Sequence, residues 1–129
     1  KFIAAFPKNH DLMKVSKMKW EHLVKHPFIT LQRPSSIRLL MDKMLAEQGI
    51  FLNVAFETNQ LATVVQMVAT ELGVSAIPSL YKQQMQSLDV EFRELTAPTI
   101  SRRVGIITRR RYPLSKTAQA FMDILRRYY

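Results

Sequence analysis

Apolar positions recur along this chain with two periods, and their alternation lays out a series of strands and helices. Residues 1–7 (KFIAAFP) are apolar enough for a strand buried on both faces, and residues 8–16 are polar and punctuated, a connection. Trp20, Leu23 and Val24 fall at helical spacing, predicting a short helix over 17–24. Residues 28–31 (FITL) form a brief β-branched and apolar run, which Pro34 ends. Ser35 or Ser36 can then cap a helix whose stripe is Ile37, Leu40, Met41, Met44 and Leu45, with Gly49 where a left-handed terminating residue is wanted. Residues 50–57 read as the next strand. Thr58 or Asn59 caps a second helix that turns Leu61, Val64, Val65, Val68 and Leu72 inward, and Gly73 stops it. Residues 74–77 form a short buried strand closed by Pro78. Beyond it lie a weak helix over 79–87, carried by Leu80, Met85 and Leu88, and a strand over 90–95. A further strand over 102–108 is apolar at Val104, Ile106 and Ile107. Ser115 caps a last helix striped by Ala118, Phe121, Met122, Leu125 and Tyr129.

From 28 to 77 the order is strand, helix, strand, helix, strand, with connections of a few residues. Short loops and helical crossovers imply parallel pairing and an α/β sheet. In such a sheet ligands bind beyond the carboxyl ends of the strands, where successive connections leave in opposite directions. If strand 28–31 lies between the other two, the crevice falls between loop 32–36 and loop 78–79, flanked by the end of the middle strand. The candidate ligand-binding residues are therefore Gln32, Arg33, Pro34, Ser35, Ser36, Thr58, Asn59 and Ser79. Hydroxyls, amides, a helix N-terminus and one guanidinium suit a small polar or anionic molecule. Each has a plain structural explanation when taken singly, as a cap or a surface charge; their convergence at one predicted switch point favours a site.

With 129 residues, 47% of them hydrophobic, the chain supplies one compact core. The absence of cysteine removes disulfides, thiolate metal sites and cysteine nucleophiles, and fits a cytoplasmic protein. No apolar run approaches the roughly 18 residues of a membrane span. Charge changes the picture only at one end: residues 101–129 carry eight cationic side chains against Asp123, so +7 of the net +9 lies there. Such a tail can attract nucleic acid or anionic lipid, or be no more than a solvated surface.

Enzymatic chemistry finds little support. The chain has no glycine-rich phosphate loop, no H-E-x-x-H and no G-x-S-x-G. His10, His22 and His26 lack metal-ligand spacing and read as surface residues; no metal or other cofactor is expected. Glu57 ends a strand and could act as a base, yet no nucleophile accompanies it. Met41, Met44, Met67, Met85 and Met122 fall at packing positions.

Four stretches, FIAAFPKNHDL, WEHLVKHPFITLQRPSSIRLL, the run from Glu57 through VVQMVATELGVSAIP, and SRRVGIITRRRYPLSKTAQAFMDIL, resemble in order and spacing the C-terminal part of the effector-binding domain of LysR-type transcriptional regulators. The resemblance spans essentially the whole chain. It implies a periplasmic-binding-protein-like fold, with residues 8–105 as a nearly complete second subdomain. Residues 1–7 and 106–129 would supply crossing strands and a C-terminal helix returning to a first subdomain, with hinges at Phe6, Pro7, Ile106 and Ile107. Position in the family picks out Pro34, Ser35 and Ser36 as effector contacts, and Thr58 and Asn59 more weakly. Two departures stand out. Asp11 occupies the proline position of the usual His-Pro-Leu, and Glu71 replaces the first glycine of Gly-Leu-Gly, which suggests altered packing of helix on sheet. No helix-turn-helix segment is present in these residues.

The implied function is ligand sensing within a cytoplasmic, oligomeric transcription regulator that meets DNA only through a domain outside these residues. A stand-alone solute-binding domain is the alternative, and direct nucleic-acid binding by the arginines of 102–111 a third. With one subdomain incomplete, Phe2, Ile3, Phe6, Ile107, Phe121 and Leu125 would form an exposed apolar patch. The chain is then expected to self-associate or to derive from a longer regulator, which gel filtration tests.

Overall fold

The computed structural model describes residues 1–86 and 88–128. In chain order it contains β1 (Phe2–Pro7), a 3₁₀ turn (Asp11–Lys14), α1 (Trp20–Val24), β2 (Phe28–Leu31), α2 (Ser36–Ala46), β3 (Val54–Thr58), α3 (Leu61–Ala69) and β4 (Ser75–Pro78). Two 3₁₀ turns (Ser79–Tyr81 and Gln83–Met85), β5 (Val90–Glu94) and α4 (Lys116–Tyr128) complete it. The weak helix expected over 79–87 is thus a pair of tight turns, and its last residue, Ser87, lies outside the described residues, as does Tyr129 of the C-terminal stripe.

β2 and β3 run parallel, with Leu31 opposite Thr58. A parallel bridge between Phe28 and Val74 joins β2 to the start of β4, where the Ile29 N–H donates to the Val74 carbonyl at 2.8 Å. β4 then pairs antiparallel with β1, and β1 antiparallel with β5. The order across the molecule is β3, β2, β4, β1, β5, so strand 28–31 stands between its two parallel neighbours, the condition on which the predicted crevice depended.

β1 forms the strand expected, buried on both faces, and is bonded on both edges, which makes it central to the sheet. Its period-two alternation sends Phe2, Ala4 and Phe6 into a core with Trp20, Leu23, Phe28, Met41 and Leu45. Ile3 and Ala5 face the opposite core with Ile29, Val64, Val65, Val68 and Ile77. α2 covers the first face and α3 the second, which is why β1 and β2 read as continuous apolar runs. Phe2, Ile3 and Phe6 are therefore buried and take no part in an exposed patch. Trp20 closes the first core: it lies 6.0 Å from Phe2, and its indole N–H donates to the Pro98 carbonyl at 2.9 Å.

The expected hinge residues separate. Phe6 and Pro7 stand beside Glu91 and Val90, at the far end of β1 from Phe2, whose N–H meets the Ile100 carbonyl where the C-terminal segment departs. Ile107 is 97% exposed. No strand forms over 102–108, because no partner edge is present among the described residues to accept its backbone groups. α4 forms with Ser115 as its cap, Oγ accepting from the Ala118 N–H at 3.2 Å, and leaves Phe121 and Ile124 exposed.

Both crossover helices end in the same way. The Ile50 and Gly49 N–H groups close onto the Leu45 and Ala46 carbonyls, with Gly49 at φ +67°. At the end of α3 the Leu72 and Glu71 N–H groups close onto Met67 and Val68, and the left-handed position, φ +63°, is filled by Glu71. The reversal is made at Glu71, not Gly73, and Leu72 turns outward. A glycine fits position 71 for its backbone freedom. Gly73 answers a different need: a Cβ there would sit 2.3 Å from the Pro27 carbonyl oxygen.

Glu71→Gly removes a left-handed non-glycine residue and is expected to stabilise the chain by roughly 1 kcal/mol in urea unfolding. His26 stacks edge-on against His10 with ring centroids 4.6 Å apart; its pKa is lowered by burial first and by the His10 charge second, against a smaller opposing pull from Asp11. Above its ordinary value of 6.5 the imidazole is neutral whether folded or not. As pH falls below that value the unfolded chain takes up the proton first, so stability declines until the folded-state pKa is passed. Urea midpoints should drop between pH 7.5 and 5.5 by more in the parent chain than in His26→Gln.

Candidate ligand-binding site

Because β2, β3 and the start of β4 point the same way and β1 runs opposite to β4, one edge of the sheet collects four chain segments. These are the carboxyl ends at Leu31, Thr58 and Pro78 and the beginning of β1. Gln32, Arg33, Pro34, Ser35 and Ser36 lead from β2 into α2 along this edge, and Thr58 and Asn59 leave β3 beside them. The contact between the two is direct: the Gln32 N–H donates to the Thr58 carbonyl at 2.8 Å. Ser79 is set apart from this group, following β4, with its N–H on the Lys1 carbonyl at 2.8 Å.

Ser35 occupies the N-cap position of α2, but its side chain makes no capping bond, contrary to expectation. The first helical bond is Leu39 N–H to the Ser35 carbonyl at 2.9 Å, so the amides of Ser36, Ile37 and Arg38 have no partner within the helix. No acidic residue lies in the first turn. Nor do Thr58 and Asn59 cap α3, whose N-cap is Gln60 without a side-chain bond. The polar groups that sequence reading assigned to capping are thus not engaged in it.

What fixes this edge is a residue that sequence reading passed over. Arg38 is only 7% exposed. Its Nε donates to both carboxylate oxygens of Asp42 at 2.8 and 2.9 Å. Its Nη1 donates to the Leu31 carbonyl at 3.0 Å and to the Glu57 carboxylate. One guanidinium thereby ties the first turn of α2 to the ends of β2 and β3. Arg33 joins the cluster by donating to Asp42 from Nη2 at 2.7 Å and Nε at 3.2 Å. Burial works against the Arg38 charge, but the bonds to Glu57 and Asp42 outweigh it and raise its pKa. Glu57, considered as a base, is a partner of this guanidinium. The Arg38–Asp42 spacing of four residues was the available signal; on a helix it reads equally as a surface pair.

Ser79 lines a cavity of about 170 Å³ that also takes in Phe2, Tyr81, Arg102 and Val104. Among the described residues no cluster of three or more His, Asp or Glu side chains is arranged to hold a metal, and no helix is long and apolar enough to cross a membrane. In the arginine-rich segment, the Arg109 guanidinium lies 5.4 Å from the ring centroid of Tyr112.

All of residues 1–129 match the LysR substrate binding domain. The chain belongs to this family. It is 32% identical over 124 residues, 96% of this chain and 39% of the relative, to the uncharacterized HTH-type transcriptional regulator YbhD of Escherichia coli K12. Among solved structures, the CcmR regulatory domain of Synechocystis PCC6803 in complex with 2-PG has a TM-score of 0.81 at 19% identity, covering 98% of this chain and 62% of that one. The effector binding domain of QuiR in complex with shikimate gives 0.72 at 18% identity, covering 99% and 60%. The fold is that of LysR effector-binding domains, the periplasmic-binding-protein-like arrangement. The chain spans about two fifths of the length of the curated relatives it matches.

The Arg38 tie has a measurable consequence. Arg38→Ala takes Glu57's partner and leaves Asp42 with Arg33 alone, and is expected to cost roughly 1–2 kcal/mol in chemical unfolding. Glu57→Gln, at a half-exposed position, is expected to cost no more than about 1 kcal/mol.

Proposed function

We propose that this chain is the ligand-sensing part of a LysR-type transcriptional regulator, binding a small polar or anionic effector at the carboxyl edge of its sheet. The supporting observation is the start of α2. Three amides without a partner among the described residues and two serine hydroxyls lie beside Thr58 and Asn59, and a buried guanidinium holds them in place. Partnerless amides at a helix start favour an anion or a polar oxygen, and the surrounding hydroxyls add donors of adjustable direction. Pro34, Ser35 and Ser36 make the principal contacts in this reading, with Gln32, Thr58 and Asn59 flanking and Ser79 further along the edge. Arg33, held by Asp42, stays outside the first set. The ligands of the related domains, shikimate and 2-PG, are of the same general kind.

Effector binding would shift the orientation of this body relative to the remainder of the regulator and so alter how an oligomer presents its DNA-binding helices. Such a regulator would be cytoplasmic and homo-oligomeric. Of the expected hinge positions, Ile106 and Ile107, exposed and outside any strand, are retained; Phe6 and Pro7, locked in a central strand, are not. The test is a bulky substitution at the helix start. Ser36→Trp, introduced into an effector-responsive regulator carrying this domain, is expected to abolish the transcriptional response while leaving circular dichroism unchanged. An undiminished response would refute the site.

A further inference from the structure

We propose that Met13 is a site of oxidation by hydroperoxides and that the Arg93 guanidinium receives the oxygen of the resulting sulfoxide. Neither residue belongs to the edge assigned to the effector.

Of the seven methionines, six are shielded. Met18, Met41 and Met85 are buried, Met44 and Met67 pack against the two cores, and Met122 is half-buried. Met13 is 39% exposed. Its turn holds it there. The preceding residue, Leu12, is anchored in the first core, the Met13 N–H donates to the His10 carbonyl at 3.0 Å, and the Val15 N–H donates to the Leu12 carbonyl at 3.1 Å. A thioether is oxidised where peroxide can reach the sulfur lone pair, and Met13 alone meets that condition well.

Arg93 supplies the second observation. It stands opposite Ala4 in β5, so it shares the sheet face against which Leu12 packs. Its Nε donates to the Glu91 carboxylate at 3.0 Å and its Nη1 to the Val15 carbonyl at 3.2 Å, which together fix the plane of the group. Nη2 is directed at the Met13 sulfur, 4.0 Å away. A thioether sulfur is a weak acceptor, and that separation is long for a bond to it. It is the right separation for one oxygen carried on the sulfur, at the ordinary N–H···O length of roughly 3 Å. The sulfoxide oxygen carries partial negative charge, so a bond from the guanidinium is charge-assisted.

In the reaction the sulfur lone pair attacks one oxygen of the hydroperoxide. The S–O bond forms as the O–O bond breaks, the sulfur is oxidised by two electrons, and the peroxide is reduced. The other oxygen leaves with the transferred proton, as water from hydrogen peroxide or as an alcohol from an organic hydroperoxide. The product gains a bond between the 3₁₀ turn and β5, segments joined by residues 80 apart in sequence. Oxidation of methionine commonly loosens a structure by placing a polar group in apolar surroundings; at this position it tightens one.

The test treats the 129-residue chain with increasing hydrogen peroxide and locates the added oxygen by peptide mass spectrometry. Met13 is expected to be modified before any other methionine. Urea titration of the singly oxidised chain is expected to show a folding constant raised roughly fivefold over the untreated chain. Arg93→Gln and Met13→Leu, given the same treatment, should show no such gain. In the parent chain the Arg93 Nε–H resonance should move on oxidation, a readout that requires no variant. Earlier modification of another methionine overturns the site. Stability unchanged or lowered in the parent, or raised equally in Arg93→Gln, overturns the role of Arg93. If Arg93→Gln does not fold, an unmoved Nε–H signal in the parent overturns it instead.

Discussion

The Arg38 guanidinium fixes the first turn of α2 against the ends of β2 and β3, two strands that backbone pairing already holds together. Hydrophobic contact holds α2 against the sheet through Met41 and Leu45, but apolar packing is non-directional and tolerates small slides. A planar group donating at once to Asp42, Leu31 and Glu57 does not. Its geometry sets where the amides at the start of α2 lie relative to the ends of β2 and β3. Such a buried charge is costly to desolvate and contributes little net stability beyond what well-packed apolar residues would give. Its value here is positional, and it coincides with the edge where positional accuracy matters.

Much of the layout was legible because each segment carries its own instructions. The stripe from Ile37 to Leu45 found α2, and the apolar β-branched run found β2. Gly49 marked a helix end, and Ser115 marked a helix start. Short loops and helical crossovers gave parallel pairing, and the order of strands across the switch point, supposed from it, is the one observed. What escaped were properties set by distant partners. That residues 1–7 become a central strand depends on β4 and β5, whose nearest pairing, Ala5 with Ser75, lies 70 residues on. Whether Arg38 is buried depends on Glu57, which no local pattern pairs with it.

The candidate site shows the same division. Sequence reading placed Pro34–Ser36 and Thr58–Asn59 on one edge, and backbone pairing of Gln32 with Thr58 holds the two loops together there. It also assigned the serines, the threonine and the asparagine to helix caps, since those residue types usually serve there. That these helix starts go without side-chain caps is a property of loop geometry that residue type does not encode. Arg102 looked like part of a solvated basic tail; only the return of Ile100 to the start of β1 brings it beside Ser79 and Tyr81.

The central position of β1 bears on how the chain reaches its fold. β2, α2, β3 and α3 can form by contacts between neighbours in sequence, with loop closures of modest length. β1 leaves the ribosome before them yet finds its partners only when Ser75–Pro78 and Val90–Glu94 have been made. Non-local pairing of this kind is slow. Until it occurs, a six-residue apolar strand with both edges unpaired is exposed to other chains. Synthesis thus proceeds with the stickiest segment waiting longest, and the yield of folded protein should be governed by the arrival of β4 and β5 more than by the strength of any contact in the finished structure.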